Sequence, residues 1–155
     1  MSILILCFLI ISFIYNLFIF IKYKTIPVSL SETSYMLEDK RYWFTLYCVA
    51  SAFFILPSLL AVVPETLTFL PFFMCSGLMF SGASPLFKQG LDKTVHYVAS
   101  IIAFISFLVF LILEMGWLST IVFAIVLMIF IIWKPKCYVY FAEMLSFLFI
   151  IFYLL

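Results

Sequence analysis

The chain has 155 residues, 68% of them apolar and 10% charged, and a net charge of +1. A soluble domain is about 45–50% apolar and about 25% charged. A water-soluble fold of this chain would have nowhere to put its apolar surface, so a polytopic membrane protein is expected. The near-neutral balance, with no basic arm, gives no reason to expect a nucleic-acid partner.

A bilayer core of about 30 Å takes roughly 17–25 helical residues. The first qualifying run is Ser2–Ile21. It has no basic segment before it and, at about 20 residues, is long for a signal-peptide core, so it is expected to be a helix of the mature protein. Asn16 lies inside it, six residues before Lys22, and its amide needs a partner there.

Loop one follows, with the sequence KYKTIPVSLSETSYMLEDKRYW. Ser29 and Glu32 stand in S-x-x-E spacing. Ser29 is placed to cap the Glu32 amide, and the Glu32 carboxylate to reach back to the Ser29 amide. Pro27 sits upstream, where it does no harm to a helix. The spacing predicts a short amphipathic helix over Ser29–Glu38, lying at the cytoplasmic interface as a simple capped helix or, alternatively, covering a site that opens to the cytoplasm.

Further spans are predicted at Tyr42–Val63, Thr66–Ser84, Val95–Leu113, Trp117–Trp133 and Cys137–Leu155. The breaks PET, EMG and KPK between successive runs are short, so those neighbours form antiparallel hairpins. None of the runs alternates polar and apolar residues as barrel strands do. The third span carries CSGLMFSGAS, with Ser76, Gly77, Ser81 and Gly82 as small residues. Such a surface lets helix backbones approach closely. In the fourth span His96, Ala99, Ser100, Ala103 and Ser106 recur at helical spacing, giving one small, polar face. The sixth span is expected to end near the outer interface. The whole chain, residues 1–155, reads as one integral membrane domain.

The charges orient this all-α bundle. Lys22, Lys24, Lys40, Arg41, Lys88, Lys93, Lys134 and Lys136 lie in loops one, three and five, while loops two and four carry only Glu65 and Glu114. Six spans put the odd loops on one side, which the positive-inside rule makes cytoplasmic, with both termini outside. Trp43, Trp117 and Trp133 fall at span ends, as an aromatic belt requires. The expected location is the bacterial inner membrane.

Within the spans, Glu143 is the most informative residue. It follows Lys136 by seven positions, about 10 Å at 1.5 Å per residue. An ionisable residue at that depth is expensive unless paired or hydrated and marks a functional site. Asn16, Ser51, Ser81, Ser84, His96, Ser100 and Ser146 fall largely in the same half, and a polar cluster is expected there. Asp92 precedes His96 by four residues and is placed to cap the fourth helix and to share a face with His96. The expected ligand-binding set is Glu143, His96, Asn16, Ser29, Ser84, Ser100 and Asp92.

Metal chemistry finds little support. Cys7, Cys48, Cys75 and Cys137 are scattered without metal spacing. One histidine excludes a three-His zinc site, and with it membrane hydrolases of the ceramidase or progestin/adipoQ-receptor kind. No cofactor is expected. A Ser–His pair stays open, with Ser84, Ser100 or Ser29 as partner, although no nucleophile-elbow signature accompanies it.

IPVS (Ile26–Ser29), GASP (Gly82–Pro85) and HYVAS (His96–Ser100) resemble the pattern of the Frag1/DRAM/DUF998 group of six-span membrane proteins. In that group a Pro-x-Ser follows the first helix, and a Gly-x-x-Pro ending the third precedes a His that opens the fourth. The similarity covers Ile26 to Ala103 and implies that Pro27, Ser29, Gly82, Pro85 and His96 form one site. It departs in the very short loops two and four. Eukaryotic members are linked to lipid handling and membrane trafficking, so the resemblance implies a lipid-related role without giving a reaction.

Four functions compete. The leading expectation is that the polar cluster binds or moves a membrane lipid or small amphiphile. The others are an oligomeric pore or membrane-disrupting effector, a lipid-modifying membrane enzyme, and an accessory subunit of a membrane complex. A homo-oligomer or a membrane-complex partner accompanies the second and fourth. The balance lies against an enzyme.

Overall fold

With so few charges to interrupt them, the apolar runs fold as long helices whose backbone groups are satisfied internally. The computed structural model describes residues 2–87 and 91–155; Lys88, read above as a topology signal, lies outside them. The helices are α1 (Ser2–Tyr23), α2 (Glu32–Met36), α3 (Tyr42–Leu60), α4 (Phe69–Ala83), α5 (Leu91–Leu113), α6 (Gly116–Trp133) and α7 (Tyr138–Leu154), with 3₁₀ turns at Glu38–Lys40, Glu65–Leu67 and Ser84–Leu86. Among the described residues, five helical segments are long and apolar enough to cross a membrane: Ile3–Tyr23, Glu38–Leu60, Glu65–Leu86, Leu91–Leu113 and Gly116–Trp133. Tyr138–Leu154 is a shorter apolar helix. The all-α fold and these several spans fit an integral membrane protein.

Its outer surface agrees. On α6 only Phe123 is buried, and Trp117, Leu118, Ile121, Ile125, Ile129 and Ile132 are exposed. A water-facing surface rarely carries so large a contiguous apolar patch.

Each long helix packs on its neighbour: α1 on α3, α3 on α4, α4 on α5, α5 on α6, and α6 on α7. Then α7 returns to α1 through large side chains, with the Phe8 and Phe147 rings 5.3 Å apart. Helix α4 sits between α3 and α5 because its small residues admit both. A Cβ on Gly77 would lie 2.7 Å from the Ala99 carbonyl oxygen and 2.8 Å from the Ala103 Cβ. On the other face, a Cβ on Gly82 would run into the Cys48 side chain, and Thr45 Oγ1 donates to the Gly82 carbonyl at 2.7 Å. The small-residue face expected in the third span is thus a packing face on both sides.

Away from loop one the core is aromatic and aliphatic. Phe123 lies between Phe107 and Phe149, at 5.4 and 5.5 Å, and Phe110 meets Tyr153 edge-on at 5.0 Å. Leu59, Phe110 and Leu111 are fully buried.

Loop one departs from its expected form. Its helix is α2, five residues rather than ten, and one side of it is buried in the protein. Leu30, Thr33, Ser34 and Leu37 are all buried, so the segment is folded into the end of the bundle. The Tyr15 hydroxyl and Thr33 Oγ1 are 2.6 Å apart, Thr33 Oγ1 donates to the Leu30 carbonyl at 2.5 Å, and the Tyr23 hydroxyl donates to the Met36 carbonyl. These bonds satisfy polar groups that would otherwise forbid burial. Lys24 (φ 52°) and Glu38 (φ 49°), both left-handed, bracket the segment. At Lys24 the backbone turns off α1 while its amide still donates to the Phe20 carbonyl at 2.8 Å.

Candidate functional site

The expected capping pair forms in part. The Glu32 amide donates to Ser29 Oγ at 3.1 Å, as the S-x-x-E spacing predicts. The return arm differs: the Glu32 carboxylate accepts from the Val28 amide rather than from Ser29. Ser29 Oγ also lies 2.9 Å from Ser31 Oγ. This small knot holds loop one in the shape that meets α7.

Three contacts join loop one to α7. The Leu30 amide donates to Glu143 Oε2 at 2.6 Å. The Tyr140 amide, an orphan donor in the first turn of α7, donates to the Val28 carbonyl at 3.0 Å. The Cys137 thiol points to the Ile26 carbonyl at 3.6 Å. Glu143, which required a partner, therefore has one in a backbone amide more than a hundred residues away.

Across from this wall stands α5. His96 Nδ1 lies 3.1 Å from Ser81 Oγ and 3.2 Å from Ser84 Oγ. Ser81 Oγ is also 2.9 Å from Ser100 Oγ, and Ser84 Oγ donates to the Ser81 carbonyl at 2.7 Å. The close approach of α4 and α5 at Gly77 brings these groups together. His96 is thereby held by its Nδ1, on the face of α5 that also carries Ser100.

Two chambers lie at these walls. One, of about 500 Å³, is the more polar: Ser29, Ser31 and Glu32 of loop one and Glu143 of α7 line it together with Lys93 and His96 of α5. The other, of about 130 Å³, is mostly apolar, walled by Ile55, Met74, Leu78, Phe104, Phe107 and Phe147 among others. Glu143 and Ser100 belong to the walls of both. A cavity with apolar walls and a few converging polar groups is the usual form of a small-ligand site.

Of the seven residues expected from sequence, Glu143, His96, Ser29 and Ser100 line the polar chamber. Ser84 is buried behind His96. Asn16 is elsewhere: its Nδ2 donates to the Ser12 carbonyl at 2.8 Å, and its Oδ1 accepts from the Tyr140 hydroxyl at 2.8 Å. Asn16 thus ties α1 to α7 and lines neither chamber. Asp92 falls within the first turn of α5 rather than ahead of it, and its carboxylate accepts from the Lys93 amide at 2.8 Å. Of the positions grouped by the family resemblance, Ser29 and His96 share the polar chamber, whereas Gly82 serves the α3–α4 contact.

Lys93, Tyr35 and Tyr97 also line the polar chamber, and sequence reasoning missed their part in it. Lys93 read as an orientation signal, and its spacing of three from His96 on α5 was the available clue. Among the described residues no group of three or more His, Cys, Asp or Glu converges as a metal site. Comparison with protein-family models, with curated proteins and with solved structures returns no match for this chain.

Proposed function

We propose that this is a six-span membrane protein, with loop one cytoplasmic and both termini outside, that binds or moves a lipid or small amphiphile. The odd-loop clustering of Lys and Arg supports the orientation, with α7 as the sixth span; a bacterial inner membrane fits that orientation. One observation carries the functional reading: a polar chamber and an apolar chamber share Glu143 and Ser100 as common walls. An amphiphile is the ligand class that needs both, with its head among the loop-one and α5 polar groups and its chain beside Phe104 and Phe107. The spacing of IPVS, GASP and HYVAS, similar to the Frag1/DRAM/DUF998 pattern, is in keeping with this reading.

The test is mass spectrometry of the intact chain released from native-membrane nanodiscs. Wild type is expected to retain an amphiphile, and Ser100→Trp, which fills the junction of the chambers, to lose it. Wild type without bound amphiphile, or retention unchanged in Ser100→Trp, would overturn the reading.

A second reading, a lipid-modifying enzyme, has a specific observation in its favour: His96 Nδ1 lies within hydrogen-bond range of two serine hydroxyls. Labelling of Ser81 or Ser84 by a fluorophosphonate, abolished in His96→Ala, is the outcome that would promote it.

A further inference from the structure

The polar chamber is divided by charge. Its α5 wall carries Lys93 and His96, and the opposite wall, built from loop one and α7, carries Glu32 and Glu143. The two walls come from different parts of the chain and are held independently. His96 is fixed from behind by Ser81 and Ser84. The carboxylates are fixed by the backbone amides of Val28 and Leu30. A single-sign headgroup would meet attraction on one wall and repulsion on the other. A headgroup with both signs meets attraction on both, and charge-assisted hydrogen bonds are the strong ones. The apolar chamber that shares Ser100 and Glu143 with the polar one is the smaller of the two, about 130 Å³ against about 500 Å³, which favours one chain over two.

Building on the amphiphile reading above, we infer that the site selects a zwitterionic, single-chain amphiphile, with its amine toward Glu32 and Glu143 and its phosphate toward Lys93 and His96. The groups that impose this choice are Lys93 and Glu143, one on each wall. Each contributes a polar contact to the matching headgroup, so losing either weakens that headgroup roughly tenfold.

The full chain in detergent micelles is titrated with four amphiphiles of one chain length: a lysophosphatidylethanolamine, a lysophosphatidic acid, an alkylammonium and a monoacylglycerol. Free phosphoethanolamine is the fifth probe, and binding is read by native mass spectrometry. The lysophosphatidylethanolamine is expected to bind roughly tenfold more tightly than any of the other four. Lys93→Gln is expected to bring the alkylammonium level with it, and Glu143→Gln to do the same for the lysophosphatidic acid. Lys93 is exposed, so Lys93→Gln tests the charge without disturbing the bundle. Equal binding of all four amphiphiles would overturn the headgroup inference and leave the amphiphile reading standing. Binding of free phosphoethanolamine as tight as that of the chain-bearing form would remove the role of the apolar chamber. Binding of none of the five would overturn both.

Discussion

The two ends of the bundle are held together by different means. At the loop-one end hydrogen bonds join distant segments, Leu30 to Glu143, Tyr140 to Val28 and to Asn16, Thr45 to Gly82, and Ser81 to Ser100, beside the stacked Tyr15 and Tyr47 rings at 4.3 Å. At the opposite end the links are rings and aliphatic side chains, Phe107–Phe123–Phe149 and Phe110–Tyr153, with a hydrogen bond from the Tyr153 hydroxyl to Glu114 Oε2 at 2.9 Å. In lipid, apolar packing gains little from the hydrophobic effect and depends on close fit. Polar groups there must be paired or they are costly. Their concentration around a chamber is the feature on which the proposed amphiphile reading rests.

This contrast gives three tests, in order of expected size. Phe110→Ala removes a fully buried ring from the packed end and is expected to cost about 3–5 kcal/mol. Unfolding in a mild detergent would measure it, with ligand retention in the folded fraction unchanged. Retention lost in step with stability would show that the ends are not separable. Glu143→Leu leaves the Leu30 amide without its acceptor and is expected to cost about 1–3 kcal/mol. Glu143→Gln keeps an acceptor and is expected to cost less, so equal losses in the two variants would argue against the loop-one contact. Ser29→Ala is expected to cost about 1 kcal/mol by uncapping the Glu32 amide, with Ser29→Asp restoring most of it. Faster hydrogen exchange at that amide in Ser29→Ala alone would confirm the cap.

Sequence reasoning reached the helices because lipid leaves few alternatives: long apolar runs broken by Pro64, Glu114 or Lys134 can only be helices and turns. It reached the Ser29 cap because capping is local and its spacing is fixed. It reached the α4 packing face because a glycine's missing Cβ is visible in the letters. It missed the docking of loop one. That contact runs from a backbone amide at Leu30 to Glu143, and a backbone amide has no signature in sequence. The need of Glu143 for a partner was legible, and the partner's identity was not. Asn16 lies apart from the chambers for a related reason. Depth placed it near Glu143, but direction around α1 decides what it meets, and it meets Tyr140. His96 lay between these cases: its face was readable from Ser100 and Ala103, while the serines that hold it come from α4.

The most direct test of the central claim is a high-resolution map of the protein purified in native-lipid nanodiscs. The account predicts elongated non-protein density, its broad end between Lys93 and Glu143 and its narrow end running past Ser100 toward Phe107. Both chambers filled only by ordered water, or closed by side chains, would contradict it.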